Sequence, residues 1–190
     1  MDIDIDSANR EQILALIKSV PASIHRGNEM VKHNTGVYVT DIPQDPVTGL
    51  CTIDHKDSED LGYIKIDLLN VALYEQIRDN EHLTTLLNTE PNWNNLKSKM
   101  FVSQLVHIHA HWNTIKKMPE PIDSIPRMAM MLSVIRPAKR HLIGLPWKTV
   151  AETVWDKPTD GSYYFKKSHA IAYATLVAVN MNLNSVHSPN

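Results

Sequence analysis

The hydrophobic pattern of this chain changes period near residue 67, and that change limits the fold more than any other feature. Before it, apolar and polar residues alternate as they do along a half-buried strand. Met1–Asp6 places Asp2, Asp4 and Asp6 on one face and Ile3 and Ile5 on the other. Gly36–Thr40 is β-branched and aromatic, and Leu50–Asp54 reads as a further short strand. Gly62–Leu69 carries Lys65 and Asp67 two residues apart, hence on one face, with Ile64, Ile66 and Leu68 packing on the other. After Asp67, the spacing of Leu69, Leu73 and Ile77, then of Leu83, Leu86 and Leu87, predicts one long helix or two short ones. Met100–His109 suits either a strand or a helix. Arg127–Ile135 is an apolar helix stopped by Arg136-Pro137, and Pro146–Trp155 is a short amphipathic one. Ser168–Leu183 is a final helix with Ser168 as N-cap and Ala170, Ala172, Ala174 and Ala178 allowing close packing. The class is α+β, with sheet and helices over residues 1–90 and helices over 91–190.

Between these elements, Ser7 caps a helix through Ile13, Leu14 and Ile17 that Pro21 ends. Ser23–Asn34, with His25, Arg26, Lys32 and His33, reads as a basic loop. Pro43–Gly49 is a turn, and His55–Asp60 is a charged connector.

Composition removes several function classes. A net charge of −2 supplies no bulk basic field for nucleic acid, so such binding would rest on local patches. The lone cysteine, Cys51, rules out an intrachain disulfide and a cysteine-rich zinc site. No apolar run reaches membrane-spanning length, and the charged start is not a signal peptide. The expected setting is cytoplasmic, without a membrane partner.

Three groups of residues could carry chemistry. If the two acidic strands lie side by side, their aspartates can chelate two Mg²⁺ ions about 3.5–4 Å apart, the arrangement used in phosphoryl transfer. A solvated acidic edge is the other reading of the same spacing. His107, His109 and His111 would share one face if their segment were a strand, which invites zinc; ordinary polar surface positions are the alternative. Lys166, Lys167, Ser168 and His169 gather at an expected helix N-terminus, where free N–H groups suit an anion such as a triphosphate. A capped helix with a solvated basic turn explains the same residues. Trp112, Trp147 and Trp155 read as core.

Read in order, several segments resemble the alpha subunits of bacterial replicative DNA polymerase III, the family-C polymerases. Met1–Asp6 resembles their Pro-Asp-x-Asp-x-Asp strand, and Lys32–Val39 their Lys/Val-His-Ala-x-Gly-Val-Val-Ile segment. Gly62–Leu69 is similar to Gly-Leu-x-Lys-x-Asp-Phe-Leu. Ala129–Pro137 is similar to Ala-Leu-x-Arg-Pro-Gly, and Tyr164–Ala174 to Gly-Phe-Asn-Lys-Ser-His-Ala-Ala-Tyr-Ala. The resemblance implies a reduced palm of the polymerase-beta nucleotidyltransferase type over 1–90 and a helical remnant of the fingers over 91–190.

It further implies that Asp4, Asp6 and Asp67 are the catalytic metal ligands, with Asp2 flanking them. Two Mg²⁺ ions, or Mn²⁺, would be the cofactors. Lys65, Arg136, Lys167, Ser168 and His169 would bind substrate. The implied activity is nucleotidyl transfer to a primer 3′-hydroxyl during DNA replication, with primer-template DNA and dNTP as partners. The family's long N-terminal domain, thumb and most of the fingers have no counterpart, so a protein partner is expected to supply them. Arg-Pro-Ala replaces Arg-Pro-Gly at Ala138, and Lys166 stands where the family has Asn. The start inside the first motif suits a compact, phage-type gene product. The alternative is an inactive polymerase derivative that acts through protein partners.

Overall fold

The alternating first part of the chain forms a mixed four-stranded sheet with the order β1-β4-β3-β2, in a computed structural model that describes residues 2–186. The strands are β1 (Asp2–Ser7), β2 (Val20–Arg26), β3 (Glu29–Tyr38) and β4 (Lys65–Asn70). β1 and β4 run parallel, while β3 is antiparallel to both β4 and β2. The helices are α1 (Arg10–Leu16), α2 (His55–Asp60), α3 (Asn80–Asn88), α4 (Lys99–Val102) and α5 (Trp112–Ile115), then α6 (Ile125–Val134), α7 (Trp147–Thr153) and α8 (Lys167–Val186). Short 3₁₀ turns lie at Ala72–Gln76, Trp93–Lys97 and Pro137–Leu142. The molecule is therefore α+β. It divides into two compact units, Met1–Arg78 and Asp79–Asn190.

Several local expectations change for identifiable reasons. Asn9, not Ser7, caps α1, because its side chain accepts from the N–H groups of Glu11 and Gln12. Pro21 does not end a helix but lies inside β2, an edge strand, where the missing N–H breaks no central ladder and the register shifts between Pro21 and Ser23. The expected basic loop is the β2–β3 hairpin. Arg26 pairs with Glu29 across Gly27-Asn28, and Gly27 takes φ +63° at the first turn position, a conformation costly to a residue with a Cβ. Leu50–Asp54 forms only isolated bridges. Buried Ser23 ties it down by donating its hydroxyl to the carbonyls of Cys51 and Ile53. His55–Asp60 is a helix because Asp54 accepts from Lys56 N–H at its start.

The first unit is packed around Val20, Ala22, Tyr38, Ile42 and Cys51. The second has a larger core of its own, built on α6, whose residues Met128–Val134 are all buried. Ala170, Ala174, Val177 and Met181 of α8 recur at helical spacing and are fully buried in that core. Ala172 lies on the exposed side of α8 and takes no part. Trp147 is core, its indole N–H shared between the carbonyls of Glu120 and Pro121, and Trp112 and Trp155 pack against the same cluster. Among the described residues, no helix is long and apolar enough to cross a membrane.

Candidate functional site

The parallel pairing of β1 with β4 sets Asp4 directly opposite Asp67, and the antiparallel pairing of β4 with β3 sets Gly36 on the other side of Asp67. Residues paired in register point to one face of a sheet, so Asp4, Asp67 and Gly36 form a row across three strands. Asp6 and Lys65, each two residues along, share that face. The side chain of Asp2, expected beside them, lies outside the described residues.

Lys65 and Asp67 share a face as the alternation predicts. On the other face Leu68 is buried as expected, whereas Ile64 is 44% exposed and the isoleucines of β1, Ile3 and Ile5, are 42% and 40% exposed. The alternation does not predict that Lys65 and Asp67 are themselves buried, at 4% and 8% exposed. The reason lies at Gly36. A Cβ there would meet Lys65 Cδ at 2.7 Å, His33 Nδ1 at 3.0 Å and Ala22 Cβ at 3.1 Å. The missing side chain lets the lysine stem lie flat over β3, with its methylenes in the apolar interior. The ammonium then turns back to Asp67 Oδ2 at 2.5 Å.

Asp67 is held on its other oxygen as well. The Thr35 hydroxyl donates to Oδ1 at 2.7 Å. His33 Nδ1 stands 3.7 Å from the same oxygen, yet that nitrogen accepts from the N–H groups of Thr35 and Gly36, so it carries no proton to share with the carboxylate. Burial pushes the Asp67 carboxyl up, but the hydrogen bonds from Lys65 and Thr35 and the lysine charge outweigh it and hold the group below the ordinary aspartate value. Asp6 moves the other way. Burial raises it, the Tyr74 hydroxyl at 3.5 Å opposes that, and the Asp4 charge raises it further. Two like charges on one strand face are what a divalent cation would relieve.

The hard oxygens of Asp4 and Asp6, both exposed, are the donor chemistry that suits Mg²⁺ or Mn²⁺. Asp67 fits as a third ligand only with Lys65 displaced from Oδ2, because both of its oxygens already accept hydrogen bonds. Among the described residues, no three His, Cys, Asp or Glu side chains come together closely enough to hold a metal. Thr35, His33 and Gly36 are the supporting residues that period alone does not single out. An isolated glycine inside a strand was the available signal, since it marks a close approach.

The other candidate residues belong to the second unit. Arg136 follows α6, with its guanidinium carbon 3.9 Å from the centroid of the Phe165 ring. α8 begins at Lys167, so Ser168 lies inside its first turn and is not its N-cap. Lys166, Lys167, Ser168 and His169 are all exposed there, and Lys167 borders a cleft with Ile125, Met130, Trp155 and Ile171. The histidine segment is not a strand. It is a run of turns in which His107 takes φ +62°, so the shared face needed for zinc does not form.

No family model, curated protein or solved structure matches this chain.

Proposed function

We propose that the first unit is a reduced nucleotidyltransferase palm, related to family-C DNA polymerases, whose carboxylates Asp4, Asp6 and Asp67 serve metal-dependent nucleotidyl transfer to a primer 3′-hydroxyl. The observation that carries this reading is the register that sets Asp4 opposite Asp67 on adjacent parallel strands, with Asp6 further along the same face. When bound, a pair of Mg²⁺ ions would supply activation of the attacking oxygen and stabilisation of the leaving pyrophosphate. Asp4 and Asp6 would hold the cation. Lys65 would keep Asp67 ionised and oriented until substrate phosphates draw the ammonium away. On the resemblance, Arg136, Lys167, Ser168 and His169 would serve the incoming dNTP. Primer-template DNA would be gripped together with a protein partner, since a net charge of −2 offers few phosphate contacts. A cytoplasmic setting goes with this reading and with the buried free thiol of Cys51.

One observation favours a second reading. The closed Lys65–Asp67 pair satisfies the third aspartate internally, as a protein acting only by binding partners would allow. Primer extension in Mg²⁺ and in Mn²⁺ separates the two. Incorporation that is lost in Asp4→Asn supports catalysis. No incorporation in either metal, together with no rise of melting temperature on adding Mg²⁺, leaves the binding role.

A further inference from the structure

The second unit carries a cleft of about 410 Å³ that takes no part in the site on the sheet. Clefts that hold small organic ligands start at roughly 300 Å³ and set a few polar groups in a mostly apolar lining. Here Leu96, Met118 and Ile122, all buried, line it beside the half-buried indole of Trp93. Three segments meet there: the 3₁₀ turn Trp93–Lys97, the end of α5 and the stretch before α6. Two other indoles fix them. Trp112 donates its N–H to Lys97 O at 3.2 Å, and Trp147 donates to the carbonyls of Glu120 and Pro121, each at 3.2 Å. Pro91 and Pro121 in the lining stiffen the backbone further. A cleft held in this way is preformed, so little ordering opposes a ligand.

Charge decides which ligand fits. The carboxylates of the lining are already engaged, because Arg127 reaches Glu120 Oε2 with one terminal nitrogen and Asp123 Oδ2 with the other, both at 2.9 Å. The Trp93 indole N–H is taken up by Glu90 Oε1 at 2.5 Å, which leaves its ring to offer apolar contact. Lys97 and Lys116 line the same cleft, both exposed, and among the described residues neither makes an ion pair. The Lys116 ammonium instead stands 4.7 Å from the centroid of the Trp112 ring, the ring whose N–H holds the Lys97 backbone. Trp112 thus links the two lysines.

We propose that this cleft binds a small aromatic carboxylate, with its ring against Trp93 over Leu96, Met118 and Ile122 and its carboxylate between Lys97 and Lys116. The ring takes the apolar lining and the carboxylate gives both ammonium groups the acceptor they lack. None of these residues lies in a segment that carries the polymerase resemblance. The site uses no metal, no nucleotide and no aspartate of the sheet, so it stands apart from the nucleotidyl-transfer reading.

The test is titration of the full chain with 2-naphthoate in EDTA at pH 7, read calorimetrically and from the indole N–H signals in NMR spectra. Two further probes divide the ligand: 2-naphthamide keeps the rings without the charge, and decanoate keeps the charge without a ring. The expected result is saturable 2-naphthoate binding that moves the Trp93 signal and leaves Trp155, which borders a separate cleft, in place. The amide and decanoate each bind more weakly by roughly fivefold or more. The double variant Lys97→Gln/Lys116→Gln, at two exposed positions, keeps a folded spectrum and binds the acid no better than the amide. No saturable binding by the wild type overturns the proposal, and so does equal affinity for the acid and either other probe. Movement of Trp155 in place of Trp93, or a double variant that binds as the wild type does, overturns it too.

Discussion

At Gly36 a single absent methyl decides where Lys65 can go. Gly36→Ala would put a Cβ within 2.7 Å of Lys65 Cδ and 3.1 Å of Ala22 Cβ, both in the interior. Overpacking of that kind costs about 1–3 kcal/mol, read as a lower urea midpoint at unchanged slope. The ion pair below it has its own signature. Lys65→Met leaves Asp67 buried with only Thr35, and removing one member of a buried pair costs about 3–5 kcal/mol. The double variant Lys65→Met/Asp67→Asn loses less than the sum of the two singles, because the uncompensated charge is gone. The pH dependence follows from the direction of the Asp67 shift. Its folded value lies below its unfolded one. It therefore contributes stability that is complete above the unfolded value, about 3.9, and is lost as pH falls through the folded one. Urea midpoints measured from pH 6 down to pH 3 fall more steeply for the wild type than for Asp67→Asn. Equal slopes would mean that the lysine does not hold the carboxylate ionised.

Among the elements, α8 shows how polar side chains organise a helix that is apolar on most sides. Asn182, almost fully buried, donates both amide hydrogens, to Leu86 O at 2.9 Å and Thr89 O at 2.8 Å. Those carbonyls belong to the end of α3, which has no later helical N–H to accept from. Asn180 does the converse, accepting from Val106 N–H at 2.9 Å and fixing the start of the histidine turn. Asn182→Leu keeps the branched shape of the side chain, though it is bulkier, and strands two carbonyls. Its expected cost is about 1–3 kcal/mol, with faster hydrogen exchange at the end of α3, and unchanged exchange there would refute the capping role.

These contacts mark the limit of what pattern can reveal. The period-2 alternation of β1 and β4, the stop at Arg136-Pro137 and the apolar run of α6 are local signals, and they are legible. The pairing of Asp4 with Asp67 was inferable only as a hypothesis about two strands side by side. The burial of Lys65 and Asp67 depends on Gly36 and Ala22 of other strands, so alternation could not reveal it. The Ser23 clamp on the Cys51–Ile53 carbonyls and the cap by Asn9 rest on geometry that no spacing rule encodes.

At the scale of the whole molecule, the two units differ in how far each can stand alone. The core around α6 and α8 is made entirely of residues between Leu96 and Met181, all within Asp79–Asn190. Every buried carbonyl and indole partner described for it comes from the same unit. A chain of residues 79–190 should therefore fold by itself and unfold in one cooperative transition, with the dispersed NMR spectrum of a packed core. Among the described residues the first unit's apolar cluster has five members, with Val37, Leu68 and Leu73 buried outside it. The unit leaves Ile3, Ile5, Ile64 and Leu61 exposed, and it buries an ion pair that is costly to desolvate. A core of that size in a chain of fewer than about 80 residues rarely supplies more than about 3–5 kcal/mol. Residues 1–78 expressed alone should then melt at lower urea than residues 79–190. If the shorter piece proves the more stable of the two, or if residues 79–190 give a collapsed spectrum, stability in this chain does not follow the division of its cores.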